Sequence, residues 1–114
     1  MITRHLQTKI NHRVVEHNGV LYFGGLVADD KSLDMKGQTA QICVKIDDLL
    51  AQVGSSKAAL LTAMIYISDF AQKDGMNEAW LEWLPAEHLP TRATIGVAEL
   101  GKDVLIEVVV SAAK

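Results

Sequence analysis

In "LPTRATIGVAELGKDVLIEVVV" at residues 89–110, two runs of strand-forming residues are joined by a short polar turn, and each run carries one charged residue where an apolar one would be expected: Arg92 and Glu107. A planar guanidinium offers two parallel N–H donors that match a carboxylate, which suits Arg better than Lys to holding a small carboxylic acid. A glutamate beside it can accept or relay a proton, or fix a water. The same two residues could instead neutralise each other as a semi-buried salt bridge, an arrangement often neutral in stability. Residue type alone leaves both readings open.

The strands that carry the pair decide how they meet. Alternation puts Arg92, Thr94 and Gly96 on one face of their strand, with Ala93, Ile95 and Val97 on the other. If "ELGKD" closes a hairpin through a two- or four-residue loop, Glu107 stands opposite Thr94 or Gly96 and shares the face of Arg92. A three-residue loop moves it to the other face. The shared face is the favoured expectation. On the last strand, placed at 103–110, Val104, Ile106, Val108 and Val110 line one side, and Leu105 and Val109 flank Glu107 on the other.

The remaining elements follow from periodicity and turn chemistry. Residues 13–28 read as a hairpin with His17-Asn18-Gly19 at its turn, and Gly24-Gly25 then mark either a bulge or a close approach of another group. A helix over 35–53 starts at Asp34 or Ser32 and stops at Gly54; Ile42, Cys43, Ile46, Leu49, Leu50 and Val53 form its apolar stripe. Cys43 on that stripe is a small buried hydrophobe rather than a nucleophile. "AALLTAMIYISDF" at 58–70 has the composition of a strand covered on both faces. A second helix at 74–84 places Met76, Ala79, Trp80, Trp83 and Leu84 on one side and ends at Pro85.

Two strands, a helix, a strand, a helix and two strands make an α+β layer of mixed sheet with both helices on one face. The other sheet face is apolar too, so it is expected to meet another copy of the chain.

At 114 residues the chain is read as one domain, 1–114, with 49% hydrophobic and 22% charged residues. A net charge of −3 and scattered basic residues argue against nucleic acid as a partner. No apolar run approaches a membrane span, and the N-terminus lacks the apolar core of a signal peptide, so a cytoplasmic location is expected. The four histidines lack metal-ligand spacing and no glycine-rich phosphate loop is present, so neither a metal nor a nucleotide cofactor is expected.

"NGVLYFGG", "LLAQVGSS", "GMNEAWLEWL" and above all the Pro-x-Arg-x-Thr strand followed by Gly-Lys-Asp-Val-x-Ile-Glu resemble the Rid family, also called YjgF or endoribonuclease L-PSP, in its short YoaB-like branch. The resemblance spans nearly the whole chain without large insertions. It implies a chorismate-mutase-like α+β fold and a homotrimeric barrel with clefts between subunits. The implied activity is hydrolytic deamination of reactive 2-imino acids, 2-aminoacrylate among them, which protects pyridoxal-phosphate enzymes. Arg92 then corresponds to the residue that binds the substrate carboxylate and Glu107 to the one near the water, while Gly25, Thr94 and Asn77 correspond to further substrate-binding positions. The chain departs from the deaminase pattern at two places: Asn11 stands at about the position of the family's tyrosine, and Gly24-Gly25-Leu26 replaces Ser-Gly-Gln. Other classes stay open beside the enzyme: a non-catalytic carboxylate-binding or regulatory trimer, and the ribonuclease or translation-inhibitor activity attached to some family names.

Overall fold

The computed structural model describes residues 1–114 as a six-stranded sheet with two helices packed on one face. The strands are β1 (Ile2–Gln7), β2 (His12–His17), β3 (Val20–Phe23), β4 (Leu60–Ile67), β5 (Thr91–Gly96) and β6 (Ile106–Ala113). The helices are α1 (Met35–Gln52) and α2 (Lys73–Trp83). Across the sheet the order is β1-β2-β3-β6-β4-β5. Every pairing is antiparallel except β4 with β5, so the sheet is mixed, as expected.

Local signals placed most elements well. Asn18 and Gly19 take φ values of 52° and 78°, the backbone that a tight two-residue turn demands, and pair His17 with Val20. Of the two proposed caps for α1, Asp34 is the one used: its Oδ1 accepts from the Gly37 N–H at 2.8 Å, whereas Ser32 bonds to Asp30. An exposed cap of this kind stabilises a helix by about 1 kcal/mol. Behind it Ile42, Cys43, Ile46 and Leu50 pack with Ile65, Ile67, Ile106 and Val108 from the sheet and Met76 and Trp80 from α2. Truncating such a residue to Ala costs roughly 2–5 kcal/mol.

Three expectations are corrected. The sheet has a further strand ahead of the expected hairpin, β1, which lies at the sheet's edge with every residue exposed or half-buried and so carries no hydrophobic period. Second, within one chain β4 is covered on one face only. Ala63, Ile65 and Ile67 are buried beneath the helices, while Thr62, Met64 and Tyr66 on the other side remain partly exposed.

The third correction concerns β5 and β6, which do not form a hairpin. Strand β6 lies between β3 and β4, and β5 pairs with the far edge of β4 in parallel. The connection 97–105 is too long for a tight turn and carries the chain back across β4. A strand, a helix and a parallel strand is the crossover unit that β4, α2 and β5 build, and it takes β5 away from β6. The buried Gln38 anchors this connection. Its Nε2 donates to the Leu33 and Asp103 carbonyls at 3.0 and 2.9 Å, and its Oε1 accepts from the Leu105 N–H at 3.0 Å, two residues before Glu107.

Candidate functional site in two halves

The sheet register sends Arg92 and Glu107 to opposite faces. Arg92 pairs with Ala63, whose side chain lies under the helices; Glu107 pairs with Tyr66, on the helix-free side. The shared face expected from a hairpin is therefore wrong within one chain, and no salt bridge joins the two residues. Each instead belongs to a separate cluster.

The first cluster is built by α2 against the edge strand β5. Arg92 Nη2 donates to Asn77 Oδ1 at 2.7 Å, and the guanidinium carbon stands 5.8 Å from the centre of the Trp80 ring. Asn77 and Trp80 are three residues apart on α2 and so share a face of that helix. Partial burial lowers the Arg92 pKa from its ordinary value, yet no carboxylate of the chain pairs with it. Its fork is thus held on one side and open on the other. Leu81, Leu89 and Pro90 complete a hollow of about 360 Å³ around it. Thr94, two residues along β5, lies on the same face and is half-buried.

The second cluster lies on the helix-free face. Glu107 packs against Gly25 so closely that a Cβ at that position would overlap its Oε2. Of the two readings of Gly24-Gly25, close approach of another group holds for Gly25. The Glu107 carboxylate makes no hydrogen bond or ion pair, and no buried polar side-chain atom of the protein is without a partner, so this carboxylate keeps access to solvent. Tyr22, Tyr66, Val109 and Ile95 share the face, and Tyr22 and Ile95 are exposed.

The structure therefore joins Arg92 with Asn77, and Glu107 with Gly25, and leaves the two pairs apart. Asn77 supports Arg92 directly, which alphabet and spacing did not reveal. Trp80 was read only as core; it is core, 2% exposed, and also the platform for the guanidinium, a role signalled only by its i+3 spacing from Asn77. Cys43 is buried as expected, its thiol pushed up to about 12 chiefly by burial and then by Asp47, so it carries no nucleophile. No cluster of three His, Cys, Asp or Glu residues is arranged to hold a metal, and no helix is long and apolar enough to cross a membrane.

Sheet order, paired helices and a polar site divided between two faces define a class of small α+β domain. Residues 5–114 match the family model described as endoribonuclease L-PSP, and the chain belongs to that family. It is 36% identical over 113 residues to a RutC family protein of Haemophilus ducreyi, covering 99% of this chain and 97% of the relative. It is 35% identical over 100 residues to the RutC family protein YoaB of Escherichia coli K12, covering 88% and 87%. Among solved structures, a YjgF family member from Neisseria meningitidis superposes with a TM-score of 0.94 at 30% identity, covering 100% of this chain and 95% of that one. An uncharacterised protein from Pseudomonas aeruginosa gives 0.94 at 34% identity, covering 100% and 99%.

Proposed function

We propose that this protein hydrolyses reactive 2-imino acids to 2-keto acids and ammonia, at sites formed where copies of a homotrimer meet. The observation that carries this reading is the division of the site. An arginine held by Asn77 and Trp80 lacks a carboxylate, and an unpartnered glutamate lies on the other face beside a partly exposed apolar surface. Apposing the helix-free faces of neighbouring copies brings the Glu107 half of one subunit to the β5 edge of the next.

The chemistry follows from the groups present. Arg92 holds the substrate carboxylate through its free N–H donors, and backbone groups at Thr94 and Gly25 border the reacting carbon. Glu107 accepts a proton from water as the oxygen adds to the C=N carbon, giving a carbinolamine. Return of that proton to nitrogen makes ammonia the leaving group, and the hydroxyl proton passes to the Glu107 carboxylate as the C=O forms and the C–N bond breaks, releasing ammonia and the 2-keto acid. The imine is already electrophilic, so orientation and one proton relay suffice for the reaction. Such hydrolysis, carried out in the cytoplasm, removes the enamines and imines that damage pyridoxal-phosphate enzymes.

An amino-acid oxidase generating free imine, with semicarbazide as competing trap, tests the activity. Faster keto-acid release and less semicarbazone with the protein are expected, and no effect on either sinks the enzyme reading. Light scattering at micromolar concentration should give about three times 12.4 kDa; a monomer would remove the shared site. A second reading, a carboxylate-binding or regulatory trimer without turnover, draws on Asn11 and Gly24-Gly25-Leu26 in place of the usual pocket residues. Binding of pyruvate without imine hydrolysis would favour it. The net charge of −3 disfavours ribonuclease activity.

A further inference from the structure

The hollow of about 360 Å³ that Arg92 itself lines is polar at two residues only. These are Asn77 and Arg92, bonded to each other at 2.7 Å, and the rest of the wall is Trp80, Leu81, Leu89 and Pro90. Asn77, Trp80 and Leu81 stand at i, i+3 and i+4 on α2 and share one face of it. Leu89 and Pro90 come from the segment just before β5, whose second residue is Arg92.

The two leucines are exposed, Leu81 at 62% and Leu89 at 44%, and neither belongs to the core, which α2 meets through Met76 and Trp80. A single exposed leucine is ordinary. Two of them, from separate elements, border one arginine that has no carboxylate of its own. The acids of α2 are engaged elsewhere: Glu78 and Glu82 reach Lys36 of α1 at 3.5 and 3.0 Å. No acid and no second cation lines the hollow.

We propose that this hollow takes the substrate's side chain and selects an apolar one, so that the preferred substrates are 2-imino acids with branched aliphatic or aromatic side chains rather than 2-iminopropanoate. The inference rests on the imine-hydrolase reading for its reaction and adds a specificity to it. Arg92 holds the carboxylate, and the side chain lies along Leu81, Leu89 and Pro90. The hollow falls at the lower end of ligand pockets, roughly 300–1,000 Å³, so a three-carbon imine leaves much of it wet. Each further methylene that covers the leucines takes apolar surface of both partners out of water. A side chain ending in a second carboxylate or a carboxamide instead loses water against groups that offer it no bond. The reaction itself is unaltered: water adds to the C=N carbon and ammonia leaves.

The test measures binding and turnover separately. Titration calorimetry compares 4-methyl-2-oxopentanoate with pyruvate and with 2-oxoglutarate, the last being of similar size but polar at its far end. The semicarbazide competition compares the imines that an amino-acid oxidase makes from leucine and from alanine. A preference of at least about tenfold for the branched compound is expected in every comparison. Leu81→Ala combined with Leu89→Ala should cut that ratio at least about threefold, and Met at both positions, which keeps apolar volume, should restore most of it. Because both leucines are exposed, the melting temperature should move little. A ratio near one in the unaltered protein, as a hollow filled by a neighbouring copy would give, overturns the proposal. So does a ratio that the double Ala variant leaves in place at unchanged size and melting temperature. Preferred, leucine-dependent binding of 4-methyl-2-oxopentanoate without any imine hydrolysis would leave the inference standing and remove the enzyme reading. Hydrolysis of both imines without preference would do the reverse.

Discussion

Arg92 and Glu107 are both charged residues in strands, yet the protein treats them in opposite ways. Arg92 has an acceptor at 2.7 Å and an aromatic face at 5.8 Å, both from α2, so its position is fixed inside one chain. Glu107 has only the absence of a side chain at Gly25 to accommodate it, and no donor. A carboxylate left without a partner on a strand that could have carried Val there contributes nothing to the fold of a single chain. The contrast teaches that one chain alone fixes the arginine half and leaves the glutamate half without a partner, so under the proposed function the first is pre-organised for a carboxylate and the second is completed by another copy.

Replacing Glu107 by Gln is the most direct way to break that contrast, and it carries the largest expected effect. The carboxamide keeps the shape beside Gly25 but cannot accept a proton from water, so imine hydrolysis should fall by about a hundredfold, a typical size for loss of a general base. Melting should shift little, because no intrachain bond is lost. A small carboxylate should still raise the melting temperature through Arg92. If the variant hydrolyses imines normally but melts far earlier, the glutamate is structural.

Arg92→Lys comes next. It keeps the charge and loses the planar fork, so turnover should fall by at least about tenfold, roughly 1.4 kcal/mol of transition-state stabilisation. Undiminished activity would place the carboxylate elsewhere. Combined with Glu107→Gln, the change in stability should be additive within a few tenths of a kcal/mol, because the two side chains share no contact in the chain. A double variant that recovers stability lost by either single one would show that they pair across subunits as a salt bridge.

How much of this was legible in the sequence depends on which residues carry the signal. Helices α1 and α2 were readable because Ile42, Ile46 and Leu50, and Met76 and Trp80, repeat at helical spacing against a single core. The turn at Asn18-Gly19 was readable because few residues accept positive φ. Strand β1 was not, since its pairing rests on backbone hydrogen bonds and none of its side chains is buried. The faces of Arg92 and Glu107 were misread for a different reason. Alternation fixes a face only once the neighbouring strand is known, and "ELGKD" looks like a hairpin although β4, α2 and β5 already form a crossover that sends β5 to the sheet's edge. Types of residue survived that error; their juxtaposition did not.

The smallest expected effect sharpens the arginine half alone, through Asn77. Its Oδ1 is the one acceptor that orients the guanidinium, and Arg92 remains partly in water, so Asn77→Ala should cost the fold about 1 kcal/mol or less. The consequence for a ligand is larger in kind than in size. A fork free to rotate loses part of its pre-organisation, and the Michaelis constant should rise roughly three- to tenfold with little change in turnover number, the signature of weakened binding shared by ground and transition states. Asn77→Asp separates orientation from mere filling of space. The carboxylate would hold Arg92 at least as firmly, leaving stability unchanged or up to about 1 kcal/mol higher, yet it would compete with the substrate for the same charge and weaken its binding more than Ala does. If both variants bind a small carboxylate as the unaltered protein does, Arg92 is not held for a ligand, and the difference between the two halves is one of packing only.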